Sequence, residues 1–458
     1  MKDIFKFVEN LNNKVIWGLP MVVLMLGTGA FLTVITKGVI FRHFGIVMRY
    51  TLKTLFKRKD KSKTNKGEIS PFQAVCTALA ATVGTGNIVG VALAIATGGP
   101  GAIFWLWVSA LIGMVLKYSE VTLSVEYRAT NNNGETVGGP MYYISRGMGK
   151  YKLSVLFAIF AALASFGIGA SVQANSLATS LNSTTKIPTW SIGLTVTILA
   201  AMVFIGGIKR ISKVAEVLVP FMAAFYIVGA VVVLFINRNL IPQAVISIFK
   251  SAFNGAAAQG GFLGASVMYA CRVGIARGIF THEAGMGSAP IAHASASTDH
   301  PARQGLWGAF EVFFDSIVMC TVTGLVILTS GVWCNANLNE ATISSQAFEN
   351  AFKGGKYIVT VGLVLFAFAT IIAWYYYGEK CIEYIFNDKI IAKNMYKIAY
   401  ICFVYIGCVA NLSVVWEFAD LFNGLMAIPN LIALLALSQK IKSLTKDFFR
   451  NPHLIREK

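Results

Sequence analysis

Two runs in this chain set glycines and small polar residues inside otherwise apolar stretches. The first is Thr82-Val83-Gly84-Thr85-Gly86-Asn87-Ile88-Val89-Gly90; the second is Thr281-His282-Glu283-Ala284-Gly285-Met286-Gly287-Ser288-Ala289-Pro290. In a helix interior a glycine costs roughly 1 kcal/mol relative to alanine, and a proline about 3. Both runs therefore read as stretches where a helix unwinds. Unwound backbone at a half-helix N-terminus offers N–H donors to a carboxylate, and its freed carbonyls can ligate a cation. Gly84 and Gly86 permit close backbone approach, while Thr85 and Asn87 add side-chain oxygens and donors. The bland reading is that small residues let apolar helices pack closely. A dinucleotide fingerprint is excluded, because no strand precedes the glycines and the third comes one residue late.

A few polar side chains elsewhere interrupt apolar segments. An unpaired Gln173 amide would cost several kcal/mol, so it either touches a ligand or bonds to a neighbouring helix. Thr370 can offer its hydroxyl to a cation beside carbonyls of the first break, or bond its own i−4 carbonyl. Trp374, one turn further, reads as a pocket wall or an interface residue. Glu283 is the sharpest ionisable candidate, since carboxylates in apolar spans are functional or paired. Three roles stay open for it: holding an ammonium, ligating the cation, or pairing with Arg277. Phe280 and Met286 flank it as candidate lining. Glu311 and Asp315 sit one turn apart and read as a pair near a helix end rather than a gate. His282 and His293 lack a third ligand, which leaves no transition-metal site.

These residues need elements to hold them. The chain has 458 residues, 56% hydrophobic and 13% charged, with a mean hydropathy of +0.64. Soluble domains carry about 25% charged residues. Apolar blocks fall at 15–37, 71–97, 101–127, 153–182, 188–207, 213–237, 261–297, 304–332, 356–380, 395–412 and 414–438. Most reach the roughly 20 residues that cross a hydrocarbon core. The expectation is an all-α integral membrane protein with about eleven transmembrane helices. The first block is too long for a signal-peptide core and reads as a retained helix. Residues 242–253 are too short to span and read as an interfacial helix.

Basic residues set the direction. Loop 37–66 carries ten of them, and the tail 440–458 six. With the N-terminus outside, these loops and the C-terminus face the cytoplasm, as the positive-inside rule requires. The formal net charge of +18 is then a topology signal facing anionic lipid, and no nucleic-acid partner is expected. The seven cysteines are scattered and read as packing residues.

With the first block set aside, ten remain, and the interrupted ones are the first and the sixth. They open two halves of five, and five is odd, so the second half runs through the membrane in the opposite sense. Secondary transporters use this logic, with paired broken helices forming the site near the midplane. The divisions expected are 1–70 (extra helix and basic loop), 71–237 (first repeat), 238–440 (interfacial helix and second repeat) and 441–458 (tail). A channel is less suited, because no pore-loop filter motif occurs. Nor is an assembled His, Asp and Ser set for an enzyme visible.

The motifs now add up to a resemblance. The run Gly84–Ala92 leading into Gly98-Gly99-Pro100-Gly101-Ala102-Ile103-Phe104-Trp105-Leu106-Trp107 resembles the alanine or glycine:cation symporters, a prokaryotic family of sodium-coupled amino-acid carriers. So do Gly139-Pro140-Met141-Tyr142-Tyr143-Ile144, Gln173-Ala174-Asn175-Ser176, Arg277–Ala289, Thr370–Trp374 and Tyr377-Gly378-Glu379. One departure is His282, where the family pattern has Asn; it bears on pH response more than on substrate. The resemblance implies a LeuT-like five-plus-five inverted repeat with one extra N-terminal helix. It also implies symport of alanine or glycine with sodium in the inner membrane. Substrate would meet Thr85, Gly86, Asn87, Gln173, Phe280, Glu283, Met286 and Trp374, and the cation Gly84, Asn87 and Thr370. Sodium is expected as a co-transported substrate, with no cofactor and no obligate protein partner. Proton coupling through Glu283 or His282 is the alternative.

Overall fold

The computed structural model describes residues 2–56, 68–254, 267–334, 340–410 and 413–455. Among the described residues, eight helices are long and apolar enough to span a membrane. They are α1 (Val8–Ile35), α4 (Gly101–Glu126), α5 (Tyr151–Thr185), α7 (Gly207–Ile236), α10 (Pro301–Ser330), α12 (Lys356–Ile385), α13 (Ile390–Val409) and α14 (Trp416–Ala436). The three remaining apolar blocks are shorter for identifiable reasons. One forms the 16-residue α6 (Thr189–Phe204). The other two are the interrupted blocks: α2 (Pro71–Thr82) with α3 (Val89–Gly98), and α9 (Val267–His282), which runs into irregular backbone. The segment expected at the interface is a 14-residue helix, α8 (Ile241–Asn254).

Local chemistry explains where α2 begins. Ser70 Oγ accepts from Gln73 N and Gln73 Oε1 accepts from Ser70 N, both at 3.1 Å, with Pro71 in the first turn. This reciprocal cap satisfies two N–H groups that a helix start leaves bare. Just before it, Ile69 N donates to Ser295 O (3.0 Å) and Ser297 N donates to Ile69 O (2.9 Å). A short parallel bridge thus ties the start of the first broken helix to the chain that leaves the second break.

The central strut is α4, whose residues are almost all buried between Met114 and Val125. Neighbouring helices press on it through glycines. A Cβ at Gly274 would lie 2.3 Å from Ala102 O, and one at Gly278 2.0 Å from Ser109 Oγ. On α10, a Cβ at Gly305 would lie 2.4 Å from Thr122 Oγ1. For these glycines, close packing between helices is the whole explanation.

Several elements were not foreseen, among them the following two. A 12-residue helix, α11 (Glu340–Ala351), precedes α12. A small hairpin pairs Ala129 with Val137 and Thr130 with Thr136. Its Glu135 meets Lys380 Nζ at 2.8 Å, and Lys380 also reaches Glu383 at 2.8 Å. Burial works against the charged Glu135, but Lys380 overrides it and holds the carboxyl below its ordinary value.

Candidate functional site

The first break is short and fully structured. Helix α2 ends at Thr82, Gly84 is extended (φ −125°, ψ −154°), Thr85–Asn87 form one tight turn, and α3 starts at Val89. Asn87 Oδ1 accepts from Gly84 N at 3.0 Å. Its Nδ2 donates to Asp315 Oδ1 at 2.7 Å. Asn87 thus fastens the break to α10. From α11, Ser344 Oγ donates to the freed carbonyl of Ile88 at 2.9 Å.

The second break uses left-handed backbone. Glu283 (φ 51°), Gly285 (φ 90°) and Gly287 (φ 85°) alternate through five residues. Glycine adopts this conformation without steric cost, whereas Glu283 holds it only because its surroundings insist. Ser288 Oγ donates to Glu283 Oε2 at 2.5 Å. The next loose groups are held from α4 and α14. Gly287 N donates to Glu120 Oε1 at 3.0 Å, and Asn430 Nδ2 donates to Gly285 O at 2.8 Å. Tyr143 OH donates to Asn430 Oδ1.

Between the breaks lies a cavity of about 20 Å³ lined by Ala81, Thr82, Gly84, Gly86, Ile168, Gln173, Phe280, Thr281, Glu283 and Trp374. On this measure that is room for about one water molecule. Six of the expected residues thus meet at one point: Gly84, Gly86, Gln173, Phe280, Glu283 and Trp374. Gln173 is bonded to the protein and also faces the cavity. It lines the cavity, and its amide is fixed by Thr85 Oγ1 (3.3 Å) and Ile168 O (3.2 Å). Thr85, Asn87, Met286 and Thr370 stand behind the lining. Met286 is fully buried.

Thr370 bonds within the protein, as one of its two readings has it. Its hydroxyl lies 3.0 Å from Phe366 O, its own i−4 carbonyl, and 3.0 Å from Ala80 O on α2. A Cβ at Gly84 would come within 2.9 Å of it.

Two expectations fail. Glu283 is not tied to Arg277, because the left-handed turn at Glu283 directs it inward while Arg277 lines a different cavity with Glu417 and Asp420. Glu311 and Asp315 are not near a helix end. Both are fully buried in the middle of α10, where Lys117 Nζ lies 3.3 Å from Glu311 and His293 Nε2 lies 3.2 Å from it. Gln304 Nε2 reaches His293 Nδ1 at 2.8 Å. His282 is separate, its Nδ1 accepting from Ala284 N at 3.0 Å. The signal for this cluster was Lys117 itself, a lysine inside a spanning block.

Two irregular stretches serve the same region. Ser165–Ser171 in α5 and Phe313–Cys320 in α10 are wound as π-helix. Wider turns of this kind recur at functional sites. Here they bring forward Ile168 and Asp315. A Cβ at Gly169 would sit 2.3 Å from Trp374 Cβ, so the absence of a side chain there seats Trp374 against the cavity.

Paired broken helices enclosing a small polar cavity, within ten helices plus one, define a secondary transporter of the LeuT-like class. Solved structures agree on the fold. One, MhsT in complex with L-phenylalanine, superposes with a TM-score of 0.59 over 85% of this chain and 98% of that one, at 14% identity. The chain belongs to the sodium:alanine symporter family, whose pattern it matches over residues 1–457. It is 46% identical to a sodium/alanine symporter, AgcS, of Methanococcus maripaludis, over 97% of each chain. It is also 38% identical to a probable sodium/glutamine symporter, GlnT, of Bacillus subtilis, over 98% of this chain and 92% of that one. The protein is therefore a multi-pass membrane symporter for amino acids and cations, not an enzyme.

Proposed function

We propose that the protein carries alanine or glycine into a prokaryotic cell together with sodium, by alternating access between the two broken helices. The observation that carries this reading is the lining of the inner cavity, where both breaks meet Gln173 and Glu283. Backbone at Gly84 and Gly86 can receive the substrate carboxylate and Glu283 its ammonium. Phe280 and Trp374 supply apolar walls beside these polar groups. Sodium would bind at Thr370 Oγ1 and Ala80 O, beside Gly84. The repeats 71–237 and 238–440 would move against each other around this point. The N-terminus faces outward and the tail inward, as the basic loops require.

The alternative, proton coupling, draws support from the buried position of Glu283 beside the Lys117 cluster. One experiment separates the two. Labelled alanine uptake into proteoliposomes is measured with an inward sodium gradient and with the same gradient in potassium. Concentrative uptake only in sodium is expected. Equal uptake in both would remove sodium as the driving ion and move the test to a proton gradient and Glu283→Gln.

A further inference from the structure

The last span, α14, ends at Ala436, and a further helix, α15 (Ser438–Arg450), begins almost at once. One face of α15 is committed to the protein. Ile441, Thr445 and Phe448 are buried, and Thr445 Oγ1 lies 3.0 Å from Tyr118 OH on α4. Lys440 Nζ lies 2.6 Å from Glu126, also on α4. Asp447 lies 3.2 Å from His300 Nε2, at the start of α10.

The other face carries Lys442, Lys446 and Arg450, all exposed. Their spacing of four sets them in one stripe along the helix. A second helix, Phe44–Phe56, extends the stripe into a patch. His43, just before that helix, stacks on Phe449 of α15 with centroids 4.5 Å apart. Arg42, next to His43, and Arg49, within the helix, are exposed as well. Residues 37–56 contain no Asp or Glu, and Asp447, the one acid of α15, is engaged by His300. An ordinary solvated surface intersperses both signs. Here the basic side chains are sorted onto one surface, directly after a span.

We propose that this patch binds the phosphate groups of anionic phospholipids at the membrane surface. Roughly four to eight Lys or Arg on an amphipathic helix beside a span suit such headgroups. Through α15, bound lipid braces α4 and α10, the two helices that Lys117 and Glu311 join. With the tail inward the leaflet is the cytoplasmic one, but the binding itself depends neither on that orientation nor on which solute is carried.

The test is thermal unfolding of the full-length protein in neutral detergent, titrated with short-chain phosphatidylglycerol and with the matching phosphatidylcholine. Phosphatidylglycerol is expected to raise the midpoint, and phosphatidylcholine to leave it unchanged. Each basic side chain near an anionic surface strengthens association about fivefold. The triple variant Lys442→Gln, Lys446→Gln, Arg450→Gln should therefore need roughly a hundredfold more phosphatidylglycerol for half the effect. The charge-keeping pair Lys442→Arg, Lys446→Arg should respond as the wild type does. So should Lys209→Gln, Arg210→Gln, Lys213→Gln, which removes three exposed basic residues at the start of α7. A tail triple with the wild-type response overturns the proposal. An equal loss in both Gln triples also overturns it, because bulk charge then explains the effect. So does an equal rise with phosphatidylcholine, or with inorganic phosphate alone. Should the tail triple fail to fold, Lys442→Gln with Lys446→Gln should shift the half-point about 25-fold, and no shift overturns the patch.

Discussion

Adding one methyl group at Gly86 tests whether the inner cavity selects by size. A Cβ at this position lies 3.0 Å from Thr281 Cγ2 and 3.6 Å from Phe280 Cδ1. The first contact is tight but not prohibitive, since a few tenths of an ångström of movement in Thr281 relieves it. The cavity itself has only about 20 Å³ to give. Glycine and alanine differ by one methyl, and one methylene in a tight apolar pocket is worth about 1–3 kcal/mol, or roughly 10- to 200-fold. Gly86→Ala should therefore lower kcat/KM for alanine by roughly that factor more than for glycine. Paired uptake assays with both labelled substrates, under the same sodium gradient, give the ratio directly. Equal loss for both would refute the size argument and mean that Gly86 serves helix packing alone. Loss confined to glycine would refute the placement of the side chain.

Three further outcomes follow from the same geometry. Thr370→Val removes the hydroxyl at Ala80 O while keeping shape; it should raise the sodium concentration for half-maximal uptake about tenfold or more, near the 1.5–3 kcal/mol of a hydrogen bond to a charged group, whereas Thr370→Ser should restore it. Lys117→Met leaves Glu311 buried without its ammonium and should cost about 3–5 kcal/mol, seen as a lower thermal midpoint in detergent; adding Glu311→Gln should recover part of that loss, and simple additivity of the two would contradict the pairing. The hairpin contact of Glu135 should not respond to pH in the neutral range. Because its folded pKa is depressed, its stabilisation is complete above roughly pH 4.3, the ordinary carboxylate value, and is lost only as pH falls through the lower folded value. Limited proteolysis at residues 131–134 should therefore be flat from neutral to mildly acidic pH, and Glu135→Gln should raise cleavage throughout.

The two breaks were legible because glycine and proline act on their own backbone, so the cost is local and visible in a single sequence. The same holds for most spans. Side-chain partnerships were not legible in this way. Glu283 and Arg277 are close in sequence, which suggests a pair, but one left-handed residue at φ 51° turns them apart. Glu311 and Asp315 carry no local sign that they lie mid-membrane, because their partners Lys117 and Asn87 sit on distant segments that only the fold brings near. Helix α11 went unseen for a compositional reason: residues 340–351 include Glu, Thr, Ser, Gln and Asn and form no apolar block. Its Ser344 nevertheless caps a carbonyl that the first break sets free.

The bridge at Ile69 has a mechanical consequence. It fixes the N-terminal end of α2 to the stretch of chain leaving the second break, and α2 is then a stiff arm of 12 residues running from that fixed end to Gly84. At 1.5 Å per residue the arm is about 18 Å long. A swing of only about 10° at the anchored end carries the free end about 3 Å, by the same dimensions. Such a displacement is the width of a methyl group. A chamber that admits one water can therefore widen to take an amino acid while every bond at the anchored end stays in place.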